Sequence, residues 1–314
     1  MNEETPAEAL YPPIEPFDAG WLEVGDGHRL YYEQCGQATG QPLLFLHGGP
    51  GSGSSPRQRR LFNPARFRLV LFDQRGCGRS QPRGSVRANT SEHLVADIER
   101  LRAHLGIARW QVVGGSWGAG LALAYAVAYP AACNALVLRA VFLGRQCDLD
   151  WFFRDARQLM PEAWAALARQ APPGQRNDLL PWLHAGLQQE VPAALPHALA
   201  WQIWEAALSR EPTPRVCDAA GAAALVDKYR VQSHYLTNGC FWNSRPLLAR
   251  ATALGALSCT IVHGQLDFIC RPQAAWELHA ALPLSRLQWV AGCGHSPYAP
   301  AMAAALAQAV EAAP

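Results

Sequence analysis

The segment Trp110-Gln111-Val112-Val113-Gly114-Gly115-Ser116-Trp117-Gly118 decides how this chain is interpreted. It begins as a short β-rich run, passes through glycines on both sides of one serine, and leads into an apolar stretch that ends at Pro130. Because the glycines permit a turn too tight for larger side chains, Ser116 should project at its tip, above the start of a helix. The pattern Gly-x-Ser-x-Gly between a strand and a helix predicts a nucleophilic serine. A glycine turn without catalytic function is the alternative.

Short β-rich runs and helical patterns alternate on both sides of this segment. The predicted strands cover residues 43–46, 68–72, 110–113, 136–138, 259–263 and 287–290. A helix is predicted after the capping sequence Asn89-Thr90-Ser91-Glu92, another over 119–129, and a closing helix over 301–313. This alternation is typical of the α/β class, in which a mostly parallel sheet is flanked by helices.

The alternation of predicted strands and helices stops at about Gly144. The next hundred residues are rich in Ala, Leu, Gln and Trp and are interrupted by prolines, so short helices are the expected structure. We therefore predict a catalytic sheet domain formed by residues 1–143 and 251–314, interrupted by a helical cap domain over residues 144–250.

Composition excludes several classes of protein. Of the 314 residues 50% are hydrophobic and 17% are charged, which favours a large core and excludes a mainly disordered chain. A net charge of +2 gives no electrostatic reason to expect nucleic acid or an anionic membrane as partner. The first six residues, Met1 to Pro6, carry acidic side chains where a secretory signal carries basic ones. We expect a soluble cytoplasmic protein, and the oligomeric state is not predicted.

The nine cysteines are scattered, without Cys-x-x-Cys pairs or His/Cys clusters. This distribution indicates neither a disulfide framework nor a zinc site, so no metal and no cofactor are expected. The glycine-rich stretch 47–53 suggests a phosphate-binding loop as an alternative, but no Gly-Lys-[Ser/Thr] follows it.

Two residues that follow the last two predicted strands complete a catalytic set with Ser116. A serine hydroxyl needs a base to remove its proton, and the base needs an acid that holds it in the correct tautomer. Asp267 follows the strand at 259–263, and His295 follows the strand at 287–290. Both lie at carboxyl ends of strands, in the chain order Ser, Asp, His that is typical of such sheets. We predict a Ser116, His295 and Asp267 triad; a loop-capping aspartate and a surface histidine are the alternatives.

A tetrahedral intermediate also needs two N–H donors for its oxyanion. One should be the backbone N–H of Trp117, directly after the serine. The other should come from the loop His47-Gly48-Gly49-Pro50-Gly51, where Gly49 lets the backbone approach the substrate.

Three motifs together resemble the proline iminopeptidase (prolyl aminopeptidase) family of α/β-hydrolase serine peptidases. They are His47-Gly48-Gly49-Pro50-Gly51, Phe72-Asp73-Gln74-Arg75-Gly76-Cys77-Gly78-Arg79-Ser80 and Gly114-Gly115-Ser116-Trp117-Gly118. The similarity extends from about Tyr11 to about Ala307 and is thinner in the helical insert. It implies an α/β-hydrolase fold with an inserted cap, the same triad, and release of an N-terminal proline from a small peptide. Epoxide hydrolases and dehalogenases share a similar first loop but place aspartate at the position of Ser116.

The same resemblance suggests which cap residues bind the substrate. Glu205 resembles a family glutamate that follows a tryptophan and binds the substrate amine, whereas Gln232 stands where the family usually has a second glutamate. Phe142 should contact the proline ring, Phe152 is a further substrate-binding residue where the family tends to have tyrosine, and Cys270 matches a pocket cysteine. For Glu205 a solvated position on a helix is the alternative.

The missing carboxylate at Gln232 leaves a second function open. It would be hydrolysis of an ester, amide or lactone by the same triad, on a small substrate without a free amine. A catalytically silent fold that binds a ligand is a third alternative, against which the complete triad argues.

Overall fold

The computed structural model describes residues 10–213, 215–242 and 246–314, so the acidic stretch from Met1 to Pro6 lies outside the described residues. The strands in these ranges are β1 Pro16–Gly25, β2 His28–Gly36, β3 Gln41–Leu46, β4 Phe67–Phe72, β5 Trp110–Gly115, β6 Cys133–Arg139, β7 Ser258–Gly264 and β8 Arg286–Val290. They form one sheet in the order β1-β2-β4-β3-β5-β6-β7-β8.

The sheet is parallel from β4 through β3 to β8, and only β1 and β2 run antiparallel to their neighbours. Strand β5 is buried along its whole length, as expected for a parallel strand covered by helices on both faces. Each of the six predicted strands falls inside one of the strands β3 to β8, and the predicted α/β fold class is confirmed.

The hairpin of β1 and β2 was not predicted. Its turn is Gly25-Asp26-Gly27, in which all three residues have positive φ. An Asp-Gly pair between two runs with strand propensity is a hairpin signal, so the sequence did carry the information.

The helices are α1 Pro56–Arg59, α2 Ser91–His104, α3 Trp117–Ala128, α4 Gln146–Phe153, α5 Pro161–Gln170, α6 Leu179–Leu187, α7 Val191–Ser209, α8 Ala219–Thr237, α9 Leu247–Ala251, α10 Pro272–Ala281 and α11 Pro300–Glu311. Helices α4 to α9 all lie between β6 and β7, and α6, α7 and α8 pack on one another. Among the described helices, none is long and apolar enough to cross a bilayer.

Aromatic side chains join these inserted helices to the sheet. Trp117, at the start of α3, stacks on Trp242 with ring centroids 4.9 Å apart and meets Tyr235 of α8 edge-on. Inside the insert, Trp204 packs against Trp164. The inserted helices therefore share their hydrophobic core with the helix that follows Ser116.

The loop after β4 is anchored by Arg75, whose side chain is fully buried. Its guanidinium forms a bidentate pair with Asp97 of α2, at 2.6 and 2.9 Å, and also donates to the backbone oxygens of Val24 and Ala88. Burial outweighs the attraction of Arg75 and raises the pKa of Asp97 above its ordinary value. Arg75 thus links the loop to both the β1 hairpin and α2.

Candidate active site

Ser116 occupies the turn between β5 and α3. Its backbone has φ 59° and ψ −123°, a conformation that non-glycine residues rarely adopt. The turn closes because its neighbours lack side chains: a Cβ on Gly114 would lie 2.1 Å from the oxygen of Gly118, and a Cβ on Gly118 would lie 2.1 Å from the oxygen of Leu46. The Ser116 hydroxyl is thereby presented at the N-terminus of α3.

The Asp267 and His295 side chains meet beside this turn. Asp267 Oδ2 lies 2.8 Å from His295 Nδ1, and Asp267 Oδ1 accepts the backbone N–H groups of Ile269 and Cys270 at 3.0 and 2.9 Å. Burial disfavours the carboxylate, but His295 and the hydrogen bonds outweigh it, so the pKa of Asp267 lies below its ordinary value. An ionised Asp267 keeps the proton on Nδ1 and leaves Nε2 of His295 free to accept one.

Ser116 and His295 line one cavity of about 290 Å³. Ser116 Oγ lies 3.7 Å from Cys270 Sγ, and among the described residues it forms no hydrogen bond with His295. Burial and the nearby Asp267 raise the pKa of the Cys270 thiol well above its ordinary value. Because the thiolate is the reactive form, Cys270 is a wall of the cavity and not a competing nucleophile.

The two predicted oxyanion donors come from different loops. Gly49 lines the cavity with φ +113°, and a Cβ there would lie 2.7 Å from the nitrogen of Gly51. Trp117 is the first residue of α3, so its backbone N–H has no acceptor within the helix. Its indole is buried and donates to Gln74 Oε1 at 2.9 Å, while Gln74 Nε2 donates to the oxygen of His47 at 3.0 Å. This bridge fixes the glycine loop against the start of α3.

Eight of the ten predicted site residues line the same cavity; these are Gly49, Ser116, Phe142, Phe152, Glu205, Gln232, Cys270 and His295. Asp267 lies behind His295, and the side chain of Trp117 is in the core. The cavity also has charged walls that the sequence did not indicate, among them Arg139 and Lys228.

Glu205 is surrounded by donors from α8. Its Oε2 accepts hydrogen bonds from Lys228 Nζ at 3.1 Å and the Tyr229 hydroxyl at 2.7 Å, and its Oε1 accepts one from Gln232 Nε2 at 2.9 Å. Burial disfavours the carboxylate, yet Lys228 and these hydrogen bonds hold the pKa of Glu205 below its ordinary value. Lys228 stands four residues before Gln232, hence on the same helix face, and this spacing could have revealed it.

Gln232 and Glu205 form a hydrogen-bonded pair at this end of the cavity. A carboxylate only accepts, so Gln232 must turn Nε2 toward Glu205, and its Oε1 faces elsewhere. That oxygen is buried, in a residue only 6% exposed, and has no partner in the part of the chain that the structure describes. Glu205 Oε1 accepts one hydrogen bond and has a second lone pair. Glu205 Oε1 is therefore the acceptor that this pair can offer to a ligand.

Arg139 ends strand β6 and is buried against the loop that carries His295. It donates to the backbone oxygen of His295, and its guanidinium occupies the space that a Cβ on Gly115 would need. Burial lowers the pKa of Arg139 from its ordinary value. A charged residue at the carboxyl end of a buried strand was the signal that sequence reasoning missed.

Known proteins resemble this chain over nearly its whole length. The family described as the alpha/beta hydrolase fold matches residues 41–300. A proline iminopeptidase of Xanthomonas citri is 44% identical to this chain, and the match covers 96% of this chain and 98% of that protein. A proline iminopeptidase of Arabidopsis thaliana is 41% identical, and the match covers 96% of this chain and 81% of that protein. The crystal structure of a proline iminopeptidase-related protein from Thermus thermophilus has a TM-score of 0.60 at 25% identity and covers 94% of this chain and 98% of that one.

Proposed function

The chain belongs to the proline iminopeptidase family of α/β hydrolases, and from this membership we propose that it releases an N-terminal proline from peptides through Ser116, His295 and Asp267. The observation that carries the proposal is the Glu205 carboxylate, whose Oε1 keeps a second lone pair, in the cavity that Ser116 lines. A protonated N-terminal proline is a secondary ammonium, and a carboxylate is the acceptor that such a cation needs when it leaves water.

The pocket dimensions support a small cyclic group. A cavity of about 290 Å³ is small for a ligand site and suits one side chain rather than several. Phe142 and Phe152 supply apolar walls, and the polar pair of Glu205 and Gln232 supplies the anchor. An N-terminal proline would place its ring against the phenylalanines, its amine at Glu205 and its carbonyl carbon at Ser116.

The proposed chemistry uses the three residues together. His295 Nε2 takes the proton of Ser116 as Oγ attacks the prolyl carbonyl carbon, and the backbone N–H groups of Gly49 and Trp117 hold the oxyanion. His295 then returns the proton to the leaving amine nitrogen as the C–N bond breaks. Water repeats the sequence on the acyl-enzyme and releases proline. Catalytic hydrogen bonds often tighten only with substrate bound, which accounts for the missing bond between Ser116 and His295.

We assign residues 144–250 to a cap domain and residues 1–143 with 251–314 to the catalytic domain. The cap supplies Phe152, Glu205 and Gln232 to the cavity, and the sheet domain supplies the reacting groups. A cytoplasmic location is supported by the nine cysteines, all of which lie in described segments. All nine are free thiols, and seven of them are buried.

One observation favours the second candidate, hydrolysis of an ester, amide or lactone without a free amine. Lys228 pairs with Glu205 at 3.1 Å and neutralises the carboxylate that a substrate ammonium would need. The two candidates share the triad and differ only at this end of the cavity.

Two measurements test the function. A fluorophosphonate should label Ser116 in the wild type and leave Ser116→Ala unlabelled; an unreactive Ser116 in folded protein contradicts both candidates. Hydrolysis of prolyl p-nitroanilide is then compared with that of N-acetylprolyl p-nitroanilide, which differs only in the blocked amine. Loss of turnover on acetylation supports the iminopeptidase, whereas equal turnover supports the second candidate.

A further inference from the structure

A second cavity, of about 370 Å³, adjoins the first at the loop that carries His295. The two cavities share Ser209 and Tyr298 as lining residues. Gly294 and Ser296, on either side of His295, line only the second one. His295 therefore stands at the boundary between the two spaces.

The proton transfer from His295 to the leaving nitrogen places the leaving peptide on the side of the second cavity. His295 protonates the leaving nitrogen, so the part of the substrate beyond the scissile bond must extend past His295. The acyl side occupies the first cavity, with its anchor at Glu205. The second cavity thus lies where the released peptide would bind.

Two arginines line this second cavity, each stacked on an aromatic ring. The guanidinium carbon of Arg57 lies 4.0 Å from the centroid of the Tyr298 ring, and that of Arg210 lies 4.8 Å from the centroid of Phe268. Stacking fixes the plane of a guanidinium and leaves its N–H groups free at the edge. Within residues 10–213, 215–242 and 246–314 neither side chain has a carboxylate or hydrogen-bond partner. By contrast, the nearby Arg59 pairs with Glu33 at 2.8 Å.

The charge of the cavity is positive. Arg57 and Arg210 face one acidic lining residue, Glu211, so the three side chains sum to +1. All three are exposed at the surface. A single negative charge on the ligand would be attracted, and because planar guanidinium donors match a carboxylate in bidentate fashion, a carboxylate is the group they fit best.

We propose that the second cavity binds the free terminal carboxylate of the leaving peptide through Arg57 and Arg210, which makes di- and tripeptides with a free carboxylate the favoured substrates. The inference rests on the proposed function and specifies its substrate class. An extended residue spans at most about 3.6 Å, so each further residue moves the carboxylate by that much away from the scissile bond, and the shortest peptides keep it nearest to His295.

The test compares free acids with amides. We expect kcat/KM for prolyl-alanine to exceed that for prolyl-alaninamide by about 10-fold, and the tripeptide acid to exceed its amide similarly, since one charged hydrogen bond is lost in each amide. In Arg57→Gln and in Arg210→Asn the acid-to-amide ratio should fall toward one. Asparagine is chosen because Arg210 has φ 56°, a conformation that asparagine tolerates. Glu211→Gln should raise the ratio.

The controls separate this inference from the proposed function. Arg57→Lys should retain part of the preference, and Arg157→Gln, which removes an exposed arginine outside both cavities, should retain all of it. If the wild type hydrolyses prolyl p-nitroanilide but treats acids and amides alike, the carboxylate site is wrong and the iminopeptidase stands. If it hydrolyses no prolyl substrate, the proposed function is wrong and the inference is lost with it.

Discussion

Asp267 Oδ2 accepts the Nδ1–H of His295 at 2.8 Å, and the Asp267 side chain is completely buried while 20% of the His295 side chain is exposed. The buried carboxylate therefore controls the tautomer of a histidine that lines the cavity. Its remaining oxygen is held by two backbone N–H groups, those of Ile269 and Cys270, so the carboxylate cannot rotate freely.

Asp267→Asn should abolish most of the activity without unfolding the protein. The amide keeps the shape, but its NH2 group would face Nδ1 and force the histidine proton onto Nε2, where it blocks acceptance of the Ser116 proton. We expect kcat for prolyl p-nitroanilide to fall roughly 10³- to 10⁴-fold, with KM changed only slightly. A fall of less than about tenfold would contradict the role assigned to Asp267.

Gln232→Glu tests the charge of the amine site. The added carboxylate would leave the group of Glu205, residue 232 and Lys228 with a net negative charge, which favours a substrate ammonium. We expect kcat/KM for prolyl p-nitroanilide to rise about 10-fold, while hydrolysis of an acetate ester stays the same. Gln232→Met, which removes the amide that donates to Glu205 at similar size, should lower kcat/KM about 10-fold because Glu205 loses a hydrogen bond that favours its ionised form. If neither substitution changes the ratio of arylamide to ester hydrolysis, the amine does not bind there.

Much of the sheet domain could be predicted because its signals are local. Buried parallel strands are short apolar runs, and the residues that follow them collect at one edge of the sheet. For that reason Ser116, Asp267 and His295, which come from three distant segments, could be placed together before any contact was known.

The contacts that α7 and α8 make around the cavity could not be predicted in the same detail. The pairing of Glu205 with Lys228 joins α7 to α8 and depends on how those helices pack, which no local pattern encodes. From sequence, Gln232 was interpreted as a lost charge. In the structure it donates to Glu205, and its buried oxygen has no hydrogen-bond partner among the described residues, because the partner decides the orientation of an amide. The same limit applies to Arg139, whose contact with His295 links segments 156 residues apart.

Arg75→Met should destabilise the protein through the loop that follows β4. The substitution leaves the buried Asp97 carboxylate without its bidentate partner, and breaking a buried pair costs about 3–5 kcal/mol. For a chain of this size the midpoint of thermal unfolding should fall by roughly 5–10 °C, measured by calorimetry. The double variant Arg75→Met, Asp97→Leu should recover part of the loss, since no unpaired charge remains. Equal midpoints for wild type and Arg75→Met would show that this pair does not hold the loop.

Lys228→Met should make substrate binding depend on pH in the acidic range. Lys228 helps to hold the pKa of Glu205 below its ordinary value; without it, burial prevails and the pKa of Glu205 rises. A carboxylate binds the prolyl ammonium only when ionised, so the ratio of variant to wild-type kcat/KM for prolyl p-nitroanilide should decline as pH falls through this raised pKa, whereas protonation of His295 affects both proteins alike. At a pH above the raised pKa, where Glu205 is ionised in both proteins, removal of the competing cation should raise kcat/KM several-fold. Lys228→Arg keeps the charge and should retain the wild-type profile, and superimposable profiles for wild type and Lys228→Met would refute the role of this lysine.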